Sequence, residues 1–521
     1  MLPVLSHRRR SIPVNLARSQ EPGLSKSWGQ PRNATNTCFQ NKSPTKREYP
    51  MDFSAFITDF FVWQGSIFKG NIFLIGNPQS DLPPYTEANV CHGGGPLLIH
   101  TVGPGENLYA ISRRYGVSID DTQRANLLPN PGQLIIGQSI VIPITAQSHT
   151  VRPGDTLFTL SQRYGVTPEA LAQANNIPVT APLIPGTVLR IPQRERTPIE
   201  VNAYLEIMGE RGRQITRDVG FFLTYMSFFS YQVRANGDLV PINDQTVINE
   251  ALNQRVAPLM VITNFAEGTF SSEIARAVFT DQTAQNRLFD NIESTLRTKG
   301  YRGLNIDFEY IFPEDRELYN QFLRRVVARF RPQGYLLCTA VAPKTSGTQT
   351  GTLYEAHDYP VHGQLMDFVI LMTYEWGWSG GPPLAVAPVP QVRQVLDYAT
   401  TVIPANKIMM GMPLYGYDWV LPYVPGGQWA RSISPQEAIR LALRYNAAIQ
   451  YDPRSQAPFF NYYDEQGREH IVWFEDARSA QAKFDLVKAY NLRGVSYWVL
   501  GGDFPQNWIL LADNFTIRKI V

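Results

Sequence analysis

A chain of 521 residues is longer than one hydrophobic core supports, because single cores stop growing near roughly 250–300 residues, so more than one domain is expected. Apolar residues make up 44% and charged residues 18%, and a net charge of +2 gives no overall pull toward nucleic acid or an anionic membrane. Cys38, Cys91 and Cys338 form no C-x-x-C pair, which excludes a disulfide framework; with seven scattered histidines and no H-E-x-x-H pattern, no metal or other cofactor is expected.

At the N-terminus Arg8-Arg9-Arg10 lacks an apolar run behind it and makes a poor secretory signal. Phe53 to Gly76 is the most apolar early stretch, but Asp59, Gln64 and Lys69 interrupt it too often for membrane insertion. Residues 1–98 hold no sustained hydrophobic period and end in a Gly93-Gly94-Gly95-Pro96 break. They read as a disordered leader, or as a segment that native translation does not include.

Two internal repeats follow at a gapless offset of 49, spanning 99–144 and 148–193. His100-Thr101-Val102 pairs with His149-Thr150-Val151, Tyr115-Gly116-Val117 with Tyr164-Gly165-Val166, and Ala125-Asn126 with Ala174-Asn175. Each copy reads as a short strand, two helical stretches and a closing strand, Ser139–Pro143 in the first and Thr187–Pro192 in the second. Such a βααβ unit is too small for enzyme chemistry. Both copies resemble LysM modules, and that resemblance implies binding of N-acetylglucosamine-containing glycans such as peptidoglycan or chitin. Small domains that only space or oligomerise are the alternative.

A polar linker at 193–198 leads into residues 199–521, where apolar β-runs alternate with helical periods. Eight strands are predicted, at Val201–Ile207, Phe221–Phe228, Pro258–Thr263, Gly303–Glu309, Tyr335–Ala340, Asp367–Thr373, Lys407–Gly411 and Gly494–Val499. Helices are predicted at Glu314–Phe330 and Asp476–Tyr490. The pattern fits an α/β fold, a (β/α)8 TIM barrel. Residues 417–474 are too long for one crossover and read as a small α+β insertion, with a helix opening at Ser434-Pro435-Gln436-Glu437.

Chemistry concentrates in Tyr301-Arg302-Gly303-Leu304-Asn305-Ile306-Asp307-Phe308-Glu309-Tyr310. At strand period, Gly303, Asn305, Asp307 and Glu309 share one face, and two carboxylates two residues apart sit at roughly 7 Å backbone spacing. Each then perturbs the other's proton affinity, which suits general acid catalysis. An exposed amphipathic strand is the other reading of a lone D-x-E. The segment resembles the D-G-x-D-x-D-x-E signature of family 18 glycoside hydrolases, matching at Gly303, Asp307 and Glu309 and departing at Arg302 and Asn305. Leu371-Met372-Thr373-Tyr374-Glu375-Trp376 resembles that family's M-T-Y-D, with Glu375 in place of Asp. Gly411-Met412-Pro413-Leu414-Tyr415-Gly416 and Ser496-Tyr497-Trp498-Val499 match its seventh- and eighth-strand patterns.

The resemblance implies a retaining, substrate-assisted glycosidase with Glu309 as proton donor, Asp307 orienting the 2-acetamido group and Tyr374 holding its carbonyl. Trp498, Tyr415, Met372, Glu375 and Asn305 are then the expected substrate-binding positions. Trp376–Pro383 and Phe504–Trp508 resemble the spore-cortex-lytic N-acetylglucosaminidase type, which implies peptidoglycan as partner and action at the spore coat, cortex or cell wall. A chitinase satisfies the same chemistry. A non-catalytic glycan-binding wall protein is the alternative from another class.

Overall fold

A computed structural model describes residues 97–128, 130, 132–143, 148–192 and 196–521. The expectations for residues 1–96 therefore lie outside the described residues. The first repeat starts two residues earlier than its sequence boundary, because Leu97 and Leu98 already pair with Pro143 and Ile142 in an antiparallel ladder. Its helices are Leu108–Tyr115 and Ile119–Asn126, and those of the second repeat are Leu157–Tyr164 and Pro168–Ala174. In each copy a carboxylate and a tyrosine hold one histidine. His100 meets Glu106 at 2.8 Å and Tyr115 at 3.0 Å, and His149 meets Asp155 and Tyr164 at 2.7 Å each. The two modules share one apolar cluster, in which Ile111, Ile140 and Ile142 pack with Leu157, Leu160 and Leu171.

Eight parallel strands close into a barrel, at Thr197–Leu205, Tyr225–Val233, Ala257–Thr263, Gly303–Asp307, Leu336–Val341, Phe368–Leu371, Ile408–Pro413 and Gly494–Trp498. The eighth pairs back on the first, which removes every edge from the ring. The expected linker is shorter than predicted, since Thr197 and Pro198 already belong to the first strand. The second strand also starts later than its apolar run suggested, because Gly220–Phe222 form a 3₁₀ turn. In the fourth strand all five residues are buried. That overturns the exposed amphipathic alternative: a barrel strand is covered by helices outside and by the packed interior within.

The predicted helix at 314–330 is a 3₁₀ turn over Pro313–Asp315 followed by a helix over Arg316–Phe330, burying Phe322, Val326 and Phe330. The helix Ala477–Ala489 is capped by Asp476, whose carboxylate accepts from the Arg478 and Ser479 amides. The insertion is an antiparallel sheet of Gly416–Val420, Arg431–Ile433, Gln450–Asp452, Ala457–Tyr463 and Glu469–Trp473, with a helix over Pro435–Arg444. Among the described residues no helix is long and apolar enough to cross a membrane.

Candidate active site

Inside the barrel a polar chain links four strands. Asn202 donates to Ser496 at 2.9 Å, Ser227 donates to Asn202 at 2.9 Å, and Asn305 donates to Tyr204 at 2.8 Å and Ser227 at 3.3 Å. Above it, at the carboxyl end of the fourth strand, lies Asp307, and Glu309 follows two residues beyond the strand. Asp307 is 3% exposed and Glu309 0%. Both Glu309 carboxylate oxygens and Asp307 Oδ1 are buried without a protein hydrogen-bond partner.

A buried carboxyl without donors is driven to its neutral form, because the charged form has lost its hydration. Burial pushes Asp307 up. Glu309 is pushed well above the usual carboxylate range by burial, then by the neighbouring Asp307 and Glu375. A carboxylic acid that keeps its proton near neutrality is what general acid catalysis requires.

Glu309 is held by its backbone. Asn264, just past the third strand, accepts from the Glu309 amide at 3.0 Å and donates to its carbonyl at 2.7 Å. Sequence reasoning missed Asn264, since it stands 45 residues away and carries no motif; a polar residue ending an apolar strand was its only signal. Tyr310 (φ 52°) and Glu375 (φ 68°) adopt the left-handed region. For side-chain-bearing residues this costs on the order of 1–3 kcal/mol and is typical of sites where geometry is imposed.

Tyr374 is buried three residues beyond the sixth strand, and its hydroxyl is pushed up by burial and then by Asp307, Glu309 and Glu375. Glu375 accepts hydrogen bonds from the Tyr415 hydroxyl and, at 2.9 Å, from Tyr417. Burial raises it to about 7 despite those two donors. Trp498 ends the eighth strand with its ring edge-on to Tyr204 at 5.2 Å and Phe229 at 5.0 Å.

Glu375, Tyr415 and Trp498 line a cavity of about 440 Å³ between the barrel mouth and the insertion. Trp378, Trp429 and Glu206 also line it, the last pushed up to about 7 by burial. Asn305 and Met372 do not line the cavity. Asn305 lies below Asp307 in the interior chain, and Met372 packs in the barrel core at 5% exposure. Asp307 and Glu309 are not on its wall either; Glu375, which lines it, reaches Glu309 electrostatically. Among the described residues, no group of three or more His, Cys, Asp or Glu is placed to hold a metal.

The sequence profile of glycosyl hydrolases family 18 matches residues 222–503, and that of the LysM domain matches 100–143 and 149–192. The chain is 54% identical over 429 residues to the cortical fragment-lytic enzyme of Bacillus subtilis (strain 168), covering 81% of this chain and 99% of the relative. It is 47% identical over 428 residues to the cortical fragment-lytic enzyme of Bacillus cereus, covering 81% and 99%. The crystal structure of the Bacillus megaterium QM B1551 spore cortex-lytic enzyme SleL matches with a TM-score of 0.74 at 46% identity, covering 82% of this chain and 100% of that one. With a closed (β/α)8 barrel, two LysM domains ahead of it and a buried acid at the end of the fourth strand, the chain belongs to the glycosyl hydrolases of family 18 and is a glycoside hydrolase.

Proposed function

We propose that this enzyme cleaves peptidoglycan of the spore cortex, or fragments of it, after N-acetylglucosamine during germination, with retention at the anomeric carbon. One observation carries the chemistry: Glu309 is fully buried, has no donor to stabilise its charge, and is crowded by Asp307 and Glu375. It therefore holds a proton for the glycosidic oxygen. Support for the substrate comes from likeness to cortical fragment-lytic enzymes over nearly their whole length.

The nucleophile is the substrate's own 2-acetamido oxygen, as in the substrate-assisted exceptions to the two-carboxylate scheme. Glu309 protonates the leaving oxygen as the acetamido oxygen closes on the anomeric carbon to give an oxazolinium ion. The acetamido N–H supplies the donor that buried Asp307 lacks, which favours its carboxylate form, and that charge stabilises the developing positive charge. Tyr374 donates to the acetamido carbonyl and fixes it for in-line attack. Deprotonated Glu309 then takes a proton from water, which opens the ring from the face the leaving group left. Two inversions give retention. Glu375, Tyr415 and Trp498 hold the sugar, and the LysM modules add a grip on N-acetylglucosamine-containing glycan that makes later encounters intramolecular.

Incubation with cortex fragments and, separately, with chitin oligomers, reading product masses and the anomer first released, tests the proposal. Preferential cleavage of cortex fragments after N-acetylglucosamine is expected. Faster turnover of chitin oligomers, or an inverted first product, would overturn it.

A further inference from the structure

The two LysM modules are copies of one fold, yet among the described residues only the first is built into the hydrolase. Gln506, from the last helix of the barrel, donates to Asn126 at 2.8 Å and to the Ser139 carbonyl at 2.9 Å. Gln436, in the insertion helix, donates to the Leu127 carbonyl at 3.1 Å. Arg478 donates to the Gly137 carbonyl at 3.1 Å, and the Ile449 amide donates to the Ile136 carbonyl at 2.9 Å. Apolar packing follows the same seam: Val141 joins the barrel core, and Ile135 completes the insertion's own core beside Ile433, Ile439 and Ile449.

At the repeat offset of 49, the second module leaves these positions uncovered. Ile135 is 5% exposed, but its counterpart Ile184 is 71% exposed; Ser139 is 2% exposed, but Val188 is 62% exposed. Docking is therefore a property of this copy and not of the LysM fold.

The docked face meets the helix that walls the cleft. Ser434, Glu437 and Arg440 of that segment line the cavity, while Gln436 and Ile439 on its other side reach the first module or share a core with its Ile135. The helix of ten residues packs with a small sheet in a core that Ile135 joins, and the Gln436 bond, with the Ile449 bond just beyond its end, limits how far it can move. We propose that the first LysM module is a brace for the cleft wall: it positions the insertion helix over the substrate site, independently of any grip on insoluble glycan.

The repeat supplies the control. Gly137 and Gly186 are equivalent, with φ of +83° and +91°. An alanine is strained at either, because L side chains rarely adopt that conformation. A Cβ on Gly137, however, would meet the Ile449 carbonyl oxygen at 1.7 Å, whereas a Cβ on Gly186 meets nothing within 4 Å. Gly137→Ala in the full chain should raise KM for a short soluble cortex fragment by roughly 2- to 30-fold, the range for coupling through a packed network. It should leave kcat little changed and speed amide hydrogen exchange across 433–449. Gly186→Ala should leave both readouts at wild type.

General destabilisation would instead lower the active fraction, and so kcat, without moving KM. The proposal rests on the cleft being the site of hydrolysis; wild-type turnover reports on that reading separately, and hydrogen exchange reads the brace without any substrate. Equal shifts in the two glycine variants, or unchanged exchange across 433–449 in Gly137→Ala, would overturn the brace. Should Gly137→Ala not fold, Gln436→Ala removes one bond with no added bulk, and unchanged exchange there would overturn it equally.

Discussion

On the proposed mechanism, Glu309, Asp307 and Tyr374 divide the work by what each can do with a proton. Glu309→Gln keeps the shape but has no proton to transfer, so turnover should fall by on the order of 10²–10⁴-fold while glycan binding survives. Asp307→Asn should also be severely impaired, because a neutral amide cannot balance the oxazolinium charge. Tyr374→Phe should be milder, since one orienting hydrogen bond is lost. Single-turnover rates beside equilibrium binding check all three, and near-wild-type turnover in Glu309→Gln would sink the assignment. Glu375 offers a second test. Its charge raises Glu309, so neutralising it lowers the Glu309 proton affinity. Glu309 must be protonated to act as acid, so activity is lost as pH rises through its raised value. Glu375→Gln should therefore move the alkaline limb of kcat/KM to lower pH. A limb that stayed in place would remove Glu375 from the electrostatics of the site.

At the scale of elements, the proposed proton donor Glu309 depends on a neighbouring strand. The fourth strand stops at Asp307, so Glu309 is not positioned by the ladder. Asn264 replaces the missing ladder by holding both the amide and the carbonyl of Glu309. Asn264→Ala is expected to lower kcat by up to about 100-fold, the scale of a 1 Å misplacement, with KM less affected. Steady-state kinetics with a thermal melt separates this from loss of fold; a variant that kept wild-type kcat would show the clamp to be unnecessary. The insertion is an element of the same kind. Its helix was legible from the Ser434-Pro435-Gln436-Glu437 opening, but its completion by Ile135 was not.

For the whole molecule, the docked module changes what a truncation means. The repeats read as self-contained units on a linker, and removing them should then cost only retention on insoluble glycan. Instead, cutting to residues 196–521 uncovers the surface that Ile135 and Val141 now bury. Each barrel or insertion side chain that these two cover costs roughly 1.5–3 kcal/mol if it is fully returned to water. The truncated chain should melt several degrees below the full chain and lose retention on insoluble peptidoglycan, as calorimetry and pelleting would show. An unchanged melting temperature would mean that the seam contributes nothing to stability.

The sequence by itself determined the repeats, the eight strands and the order of motifs along them, because periods of 2 and 3.6 residues and a fixed offset are local and repeat themselves. It also determined the carboxylate pair, since Asp307 and Glu309 are two residues apart. Only the tertiary structure decided that Glu309 is sealed from water, that Asn264 holds it, that Asn305 and Met372 sit away from the cavity, and that Gln506 reaches Asn126 across 380 positions. The physical reason is that burial and electrostatic crowding depend on residues distant in sequence. A hydrogen bond across hundreds of positions leaves no period by which a chain can announce it.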